Sequence, residues 1–231
     1  MNLTRSLTFI FEDRQWVSKI VIMTIFSFLS LSSVFVVGLA ALSVALGFMI
    51  QLAGNVRNGH PRPLPGWDDY IEKFMLGGQV LAAVIIYNLP LLLIGGCSSA
   101  MVSAFGNGLV GQSVSLVTLC CTLPFLILYM IFAWPMLATA LAEFIESGQS
   151  HSMYRPLHLW DLMQTHSSSV LEWALYTAGV NLILLILLLI PCIGWLGILM
   201  FGFPVQGHLL GQYAHRIHIV QPVKPKKKSV V

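Results

Sequence analysis

Ionisable side chains are missing from three long stretches of the sequence. No Asp, Glu, Lys or Arg occurs in residues 20–56, 74–142 or 173–215, blocks of 37, 69 and 43 residues. A charge at the centre of a bilayer costs about 2.5–3.5 kcal/mol on insertion scales, so blocks that avoid charge altogether are expected in lipid. A single helix of 37 residues would be ~55 Å long, against a hydrocarbon core of ~30 Å. Each block therefore reads as two segments folded back on each other. The expected fold is an all-α, polytopic membrane helix bundle of about six hydrophobic segments in three hairpins.

Three hairpins return the chain to the face it started from. The N-terminus, both charged loops, the C-terminus and all 12 Lys and Arg residues then share one side. Basic residues collect on the cytoplasmic face, so both termini are expected there. A five-span alternative, with residues 20–56 as one tilted helix, would carry Arg5, Arg14 and Lys19 across the membrane. The first hairpin has short arms, which also suit a re-entrant loop. Composition agrees with burial in lipid: 57% of residues are hydrophobic and 9% charged, against about 25% charged in soluble domains. The first apolar run begins after Glu12 and Asp13 and far exceeds the core of a signal peptide, so no cleavable signal is expected.

Residues 1–19 read as an interfacial helix, with Leu3, Leu7, Ile10, Phe11 and Trp16 as its apolar side. Residues 20–219 form the expected transmembrane domain, and 220–231, with Lys224-Pro225-Lys226-Lys227-Lys228, a polybasic cytoplasmic tail. Turns are expected near residues 30–33 or Gly38, at Gly106-Asn107-Gly108, and at Pro191-Cys192-Ile193-Gly194. Pro124 and Pro135 should kink the segment that holds them. Cys97, Cys120, Cys121 and Cys192 read as small apolar residues, with a disulfide conceivable only in an oxidising outer compartment.

An internal repeat adds a second constraint. Arg62-Pro63-Leu64-Pro65-Gly66-Trp67-Asp68 and Arg155-Pro156-Leu157-His158-Leu159-Trp160-Asp161 share Arg-Pro-Leu-x-x-Trp-Asp at an offset of 93 residues. The same offset pairs Asn88-Leu89 with Asn181-Leu182, giving seven identities in 28 positions. The expected repeat units are about 34–105 and 112–190, followed by a last segment at 195–213. Both loops fall between hairpins, as parallel repeats about an axis along the membrane normal require.

In each loop the proline fixes an extended approach and the aspartate is placed to cap the helix that follows. Trp67 and Trp160 suit the headgroup level. Arg62, Trp67, Asp68, Arg155, Trp160 and Asp161 are thus either two interfacial elbows or a paired surface for anionic lipid headgroups or a partner protein. Pro61-x-Pro63-Leu64-Pro65 also fits a weak polyproline ligand pattern. Asn88 and Asn181, deep in their blocks, are either interhelical hydrogen-bonding groups or a pseudo-symmetric polar site. His208 and Gln212 join them as candidate intramembrane polar residues. Gly207 and Gly211 form a small-residue face for close helix approach. A haem or chlorin on His208 is a minor alternative, and no cofactor or metal is expected.

Gly59-x-Pro61-x-Pro63-Leu64-Pro65-x-Trp67-Asp68-Asp69, then Phe74 and Gly77-Gly78 opening an apolar span, resembles an uncharacterised family of archaeal and bacterial polytopic membrane proteins, known only as a domain of unknown function. Pro191-x-x-Gly194-Trp195 followed by His208-Leu209-Leu210-Gly211-Gln212-Tyr213 is similar to that family's end. The resemblance covers roughly residues 10–216. It implies a prokaryotic plasma (inner) membrane and carries over no activity.

No phosphate-binding loop, zinc-protease motif, nucleophile elbow or dinucleotide fingerprint is present. The deep blocks contain no carboxylate, which disfavours an ion-coupled pump. The expected function is a non-enzymatic accessory or organising subunit of a membrane complex, or a lipid-interacting protein, with no nucleic-acid partner. A transporter or channel for a neutral or lipidic solute along the repeat axis is the alternative. An enzyme would need Asp68, Asp69 and Asp161 to converge on a pocket.

Overall fold

The computed structural model describes residues 1, 3–32, 35–105, 108–190 and 193–219. The polybasic tail at 220–231, Cys192 and part of each expected turn (33, 106–107, 191–192) lie outside the described residues. Within them the chain forms helices α1 (Leu3–Thr8), α2 (Trp16–Ser30), α3 (Phe35–Arg57), α4 (Tyr70–Phe105), α5 (Leu109–Ser147), α6 (Pro156–Thr165), α7 (Ser167–Leu188) and α8 (Ile193–Ile219), with short 3-10 turns at Phe9–Glu12 and Ser150–Tyr154. Four of these, α3, α4, α5 and α7, are long and apolar enough to cross a membrane, and α2 is a shorter apolar helix of 15 residues.

Each charge-free block yields two helices that pack on each other: α2 on α3, α4 on α5, and α7 on α8. The first block is broken between Ser30 and Phe35, so it is not one long helix. Helix ends follow local backbone chemistry. Gly148 adopts a left-handed conformation (φ 66°) and donates to the Phe144 carbonyl, closing α5. Gly59 (φ 73°) does the same office after α3, where the amides of Asn58, Gly59 and His60 turn back onto Gly54, Val56 and Asn55.

The central strut is α3, which packs most extensively against α4 and α8. Glycines permit both approaches. A Cβ on Gly47 would overlap the Lys73 carbonyl and one on Gly77 the Ser43 carbonyl, so α3 and α4 run antiparallel with backbones nearly touching. On the other side, Gly207 and Gly211 sit against the carbonyls of Met49 and Ala53, so α3 and α8 run parallel. Helix lengths are unequal: α4 and α5, at 36 and 39 residues, reach ~54 and ~58 Å, whereas α3, at 23, reaches ~35 Å. Both long helices continue through their prolines, Pro90 in α4 and Pro124 and Pro135 in α5.

Charged groups meet at one end of the bundle, where α3, α5 and α8 finish and α7 starts. Arg57 pairs with Glu146, and Glu172 pairs with both Arg216 and the Met1 ammonium. Lys19 lies at this end too, donating to the Leu64 carbonyl (2.9 Å) and to Asp13 (2.8 Å).

Residues 3–19 do not form one continuous helix. The segment breaks at Phe9–Glu12 and again before Trp16, and Ser6, Phe9 and Ile10 are buried rather than lying on a surface. The cause is a dock on α8: the Ser6 hydroxyl meets His208 Nδ1 at 2.9 Å, and Phe9 stacks on the same imidazole at 4.4 Å. Cys97, Cys120 and Cys121 are free and exposed.

Candidate functional site

The two repeated loops fold differently. Pro63, Leu64 and Pro65 are buried without helical structure, and Trp67 is inserted between Phe26 and Phe48 at 5.4 and 4.8 Å with near-parallel rings. Its Nε1 donates to the Lys19 carbonyl (3.0 Å), and the Lys73 ammonium stands over its ring at 5.8 Å. Burial alone would push the neighbouring Asp13 carboxyl up, but the Lys19 ammonium, the Gln15 amide and the Arg62 charge together hold it below its ordinary value. Arg62 and Asp68 themselves are exposed, Asp68 beside Asp69 and Glu72 in an acidic recess.

In the second loop Pro156 opens α6, and Trp160 and Asp161 lie inside that helix. Asp161 therefore caps nothing; the residues at both ends of α6 make no side-chain cap. Arg155, Trp160 and Asp161 are exposed, with Trp160 tilted against Phe132 at 6.4 Å. Among the described residues no hydrogen bond, ion pair or ring contact joins the two loops.

The deep asparagines do come together. Asn88 on α4 and Asn181 on α7 line one cavity of about 330 Å³ with Trp134 of α5, Trp173 and Thr177 of α7 and Gln206 of α8, over a floor of Leu46 and Met49 from α3. Asn181 accepts a 3.0 Å hydrogen bond from Gln206, which joins two helices, whereas Asn88 donates to Val84 of its own helix at 2.8 Å. The cavity is a cleft between two helix pairs: α4 packs on α5 and α7 on α8, while α5 and α7 barely touch.

Toward the charged end the cleft is followed by a buried layer. One turn further on, each wall helix and the floor present a buried side chain (Ala53, Val80, Phe144, Val170 and Tyr213), all in a single hydrophobic cluster. In that layer the Thr139 and Tyr213 hydroxyls share a 2.8 Å hydrogen bond. Of the cleft-lining residues on α7, Trp173 and Thr177 are the two that the sequence does not mark as polar-site candidates. They lie eight and four residues before Asn181, on the same face of α7, and that spacing is the signal that could have found them.

His208 and Gln212 do not belong to this site. Gln212 reaches Ser6 and His208, each at 3.0 Å, under the N-terminal segment. They border a separate recess of about 510 Å³ with Arg5, His60, His215 and Arg216. Their separation follows from helix geometry, since two or six residues beyond Gln206 is a different face of α8 from the one α7 covers. Among the described residues no group of three or more His, Cys, Asp or Glu is placed to hold a metal.

The family described as "Protein of unknown function (DUF4013)" matches residues 25–194. No curated protein and no solved structure matches the chain.

Proposed function

We propose, for a chain that belongs to the family of proteins of unknown function DUF4013, a non-enzymatic role in a prokaryotic inner membrane: an accessory or organising component that holds lipid or a larger membrane complex. On this reading α2, α3, α4, α5, α7 and α8 are six membrane segments in three hairpins, with both termini cytoplasmic. The short α2, ~22 Å at 15 residues, is accommodated by local thinning of the bilayer. What supports the shared aqueous face is the ion pairing of Met1, Arg57, Glu146, Glu172 and Arg216 at one end. The parallel repeat is supported by Asn88 and Asn181 lining one cleft.

The single observation that supports a holding role over a conducting one is the layer of buried side chains, Ala53, Val80, Phe144, Val170 and Tyr213, one turn beyond the cleft's lining. A transporter for a neutral solute is the second reading, favoured by the same asparagines. Reconstitution in liposomes separates the two. The holding role predicts glycerol permeability equal to that of protein-free vesicles, and stoichiometric lipid or protein retained through mild-detergent purification. A saturable flux abolished by Asn88→Leu and Asn181→Leu would replace it with transport.

A further inference from the structure

Lys73, in the first turn of α4, is only 3% exposed, yet among the described residues its ammonium makes no hydrogen bond and no ion pair. The face of Trp67 lies 5.8 Å from it. A ring face offsets part of the cost of taking an ammonium out of water, but it leaves the N–H donors in want of an acceptor. Unlike Trp173 Nε1 and Thr177 Oγ1, which are fully enclosed, Lys73 Nζ is not sealed in. The side chain lines a recess of about 370 Å³ between the first elbow, the start of α4 and the end of α3.

The same recess carries the opposite charge. Asp68, Asp69 and Glu72 share its lining, are exposed, and pair with no described residue. They act on Lys73 only through space. The recess thus has a buried positive group and an exposed negative side. A metal ion drawn by the carboxylates would be opposed by the ammonium, and a lone anion drawn by the ammonium would be opposed by the carboxylates. A ligand bearing both charges a few bonds apart satisfies each group. Gln51 and Asn55, near the end of α3, add neutral amides.

Placement narrows the ligand further. Because α4 runs antiparallel to α3, the recess sits at the charged end of the bundle. One turn along α4 from Glu72, Met75 is exposed, as are Ile71 and Phe74, which gives an acyl chain an apolar path away from the recess. We propose that the recess binds the zwitterionic head of a membrane lipid, its phosphate on Lys73 and its primary ammonium on Asp68, Asp69 and Glu72. Phosphatidylethanolamine has that pair of charges, and free O-phosphoethanolamine has the same chemistry without the chains. The site rests on the membrane-embedded reading above but not on the accessory role.

The test is equilibrium binding of radiolabelled dioleoyl phosphatidylethanolamine to the full chain in dodecylmaltoside. Saturable binding is expected, displaced by unlabelled phosphatidylethanolamine and more weakly by phosphatidylglycerol, which lacks the ammonium. O-phosphoethanolamine should displace it far more weakly than the lipid; equal potency would overturn the lipid as the source. Lys73→Met should weaken binding of both lipids about tenfold, the effect of one charged hydrogen bond. Asp69→Asn combined with Glu72→Gln, at exposed positions that spare the fold, should weaken phosphatidylethanolamine about fivefold and strengthen phosphatidylglycerol, whose phosphate is no longer repelled. Uptake that only tracks micelle concentration, or a lipid preference unmoved by the carboxylate substitutions, would overturn the site. Release of the chain from membranes by alkaline carbonate would instead overturn the membrane reading, so the two failures are distinguishable.

Discussion

The elbows around Trp67 and Trp160 share Arg-Pro-Leu, then two free positions, then Trp-Asp, yet one is a buried clamp and the other an exposed helix. Trp67 is 8% exposed and Trp160 41%. The free positions account for the difference. Pro65-Gly66 removes an amide donor and adds a flexible unit, so the first elbow cannot wind into a helix and its tryptophan turns inward onto Phe26 and Phe48. His158-Leu159 has no such block. Pro156 at the first helical position then starts α6, Leu159 and Leu162 take the buried face, and Trp160 is rotated outward. The same five residues do structural work only where the two between them forbid a helix.

That contrast can be broken experimentally. Trp67→Ala should cost about 3–5 kcal/mol, the range for deleting a large buried aromatic, measured by unfolding in detergent, while Trp160→Ala should cost far less. Lys19→Met should cost about 1.5–3 kcal/mol, because it strips a charged donor from both Asp13 and the Leu64 carbonyl. The first elbow is also expected to be acid-sensitive. Asp13 titrates below its ordinary value in the folded chain, so its contribution is complete above the unfolded pKa of about 3.9 and is lost as pH falls through the folded value. Melting curves below pH 4 should show this loss in the parent chain and a smaller one in Lys19→Met.

Smaller effects sharpen the picture. Gly77→Ala, whose methyl would overlap the Ser43 carbonyl just beyond the first elbow, should cost about 1–3 kcal/mol by forcing α3 from α4. Gly78→Ala, with open space at its Cβ, should be tolerated. Asp161→Asn in the exposed α6 should stay within about 0.5 kcal/mol.

Much of the fold could be read from where charges are absent, because the cost of moving an ion into hydrocarbon leaves its mark on every residue of a block. The pairs α2–α3, α4–α5 and α7–α8 fall within those blocks for that reason. The convergence of Asn88 and Asn181 was visible through a fixed offset of 93 residues. The dock of Ser6 and Phe9 on His208 was not, since a long-range contact between a polar segment and a helix face has no periodic trace. Nor was the fate of Trp160, because shared letters concealed the two positions that decide whether a helix forms. Trp173 and Thr177 share a helix face with Asn181, but that this face borders a cleft depends on which helices pack around it.

The most direct test of the account is sidedness. Single cysteines at positions 5, 62, 155 and 108, in a background lacking the native cysteines, would be challenged with an impermeant maleimide on right-side-out and inverted vesicles. A single charged aqueous face predicts that 5, 62 and 155 are labelled only in inverted vesicles and 108 only in right-side-out ones. Labelling of 5 from the side opposite 62 and 155 would contradict it.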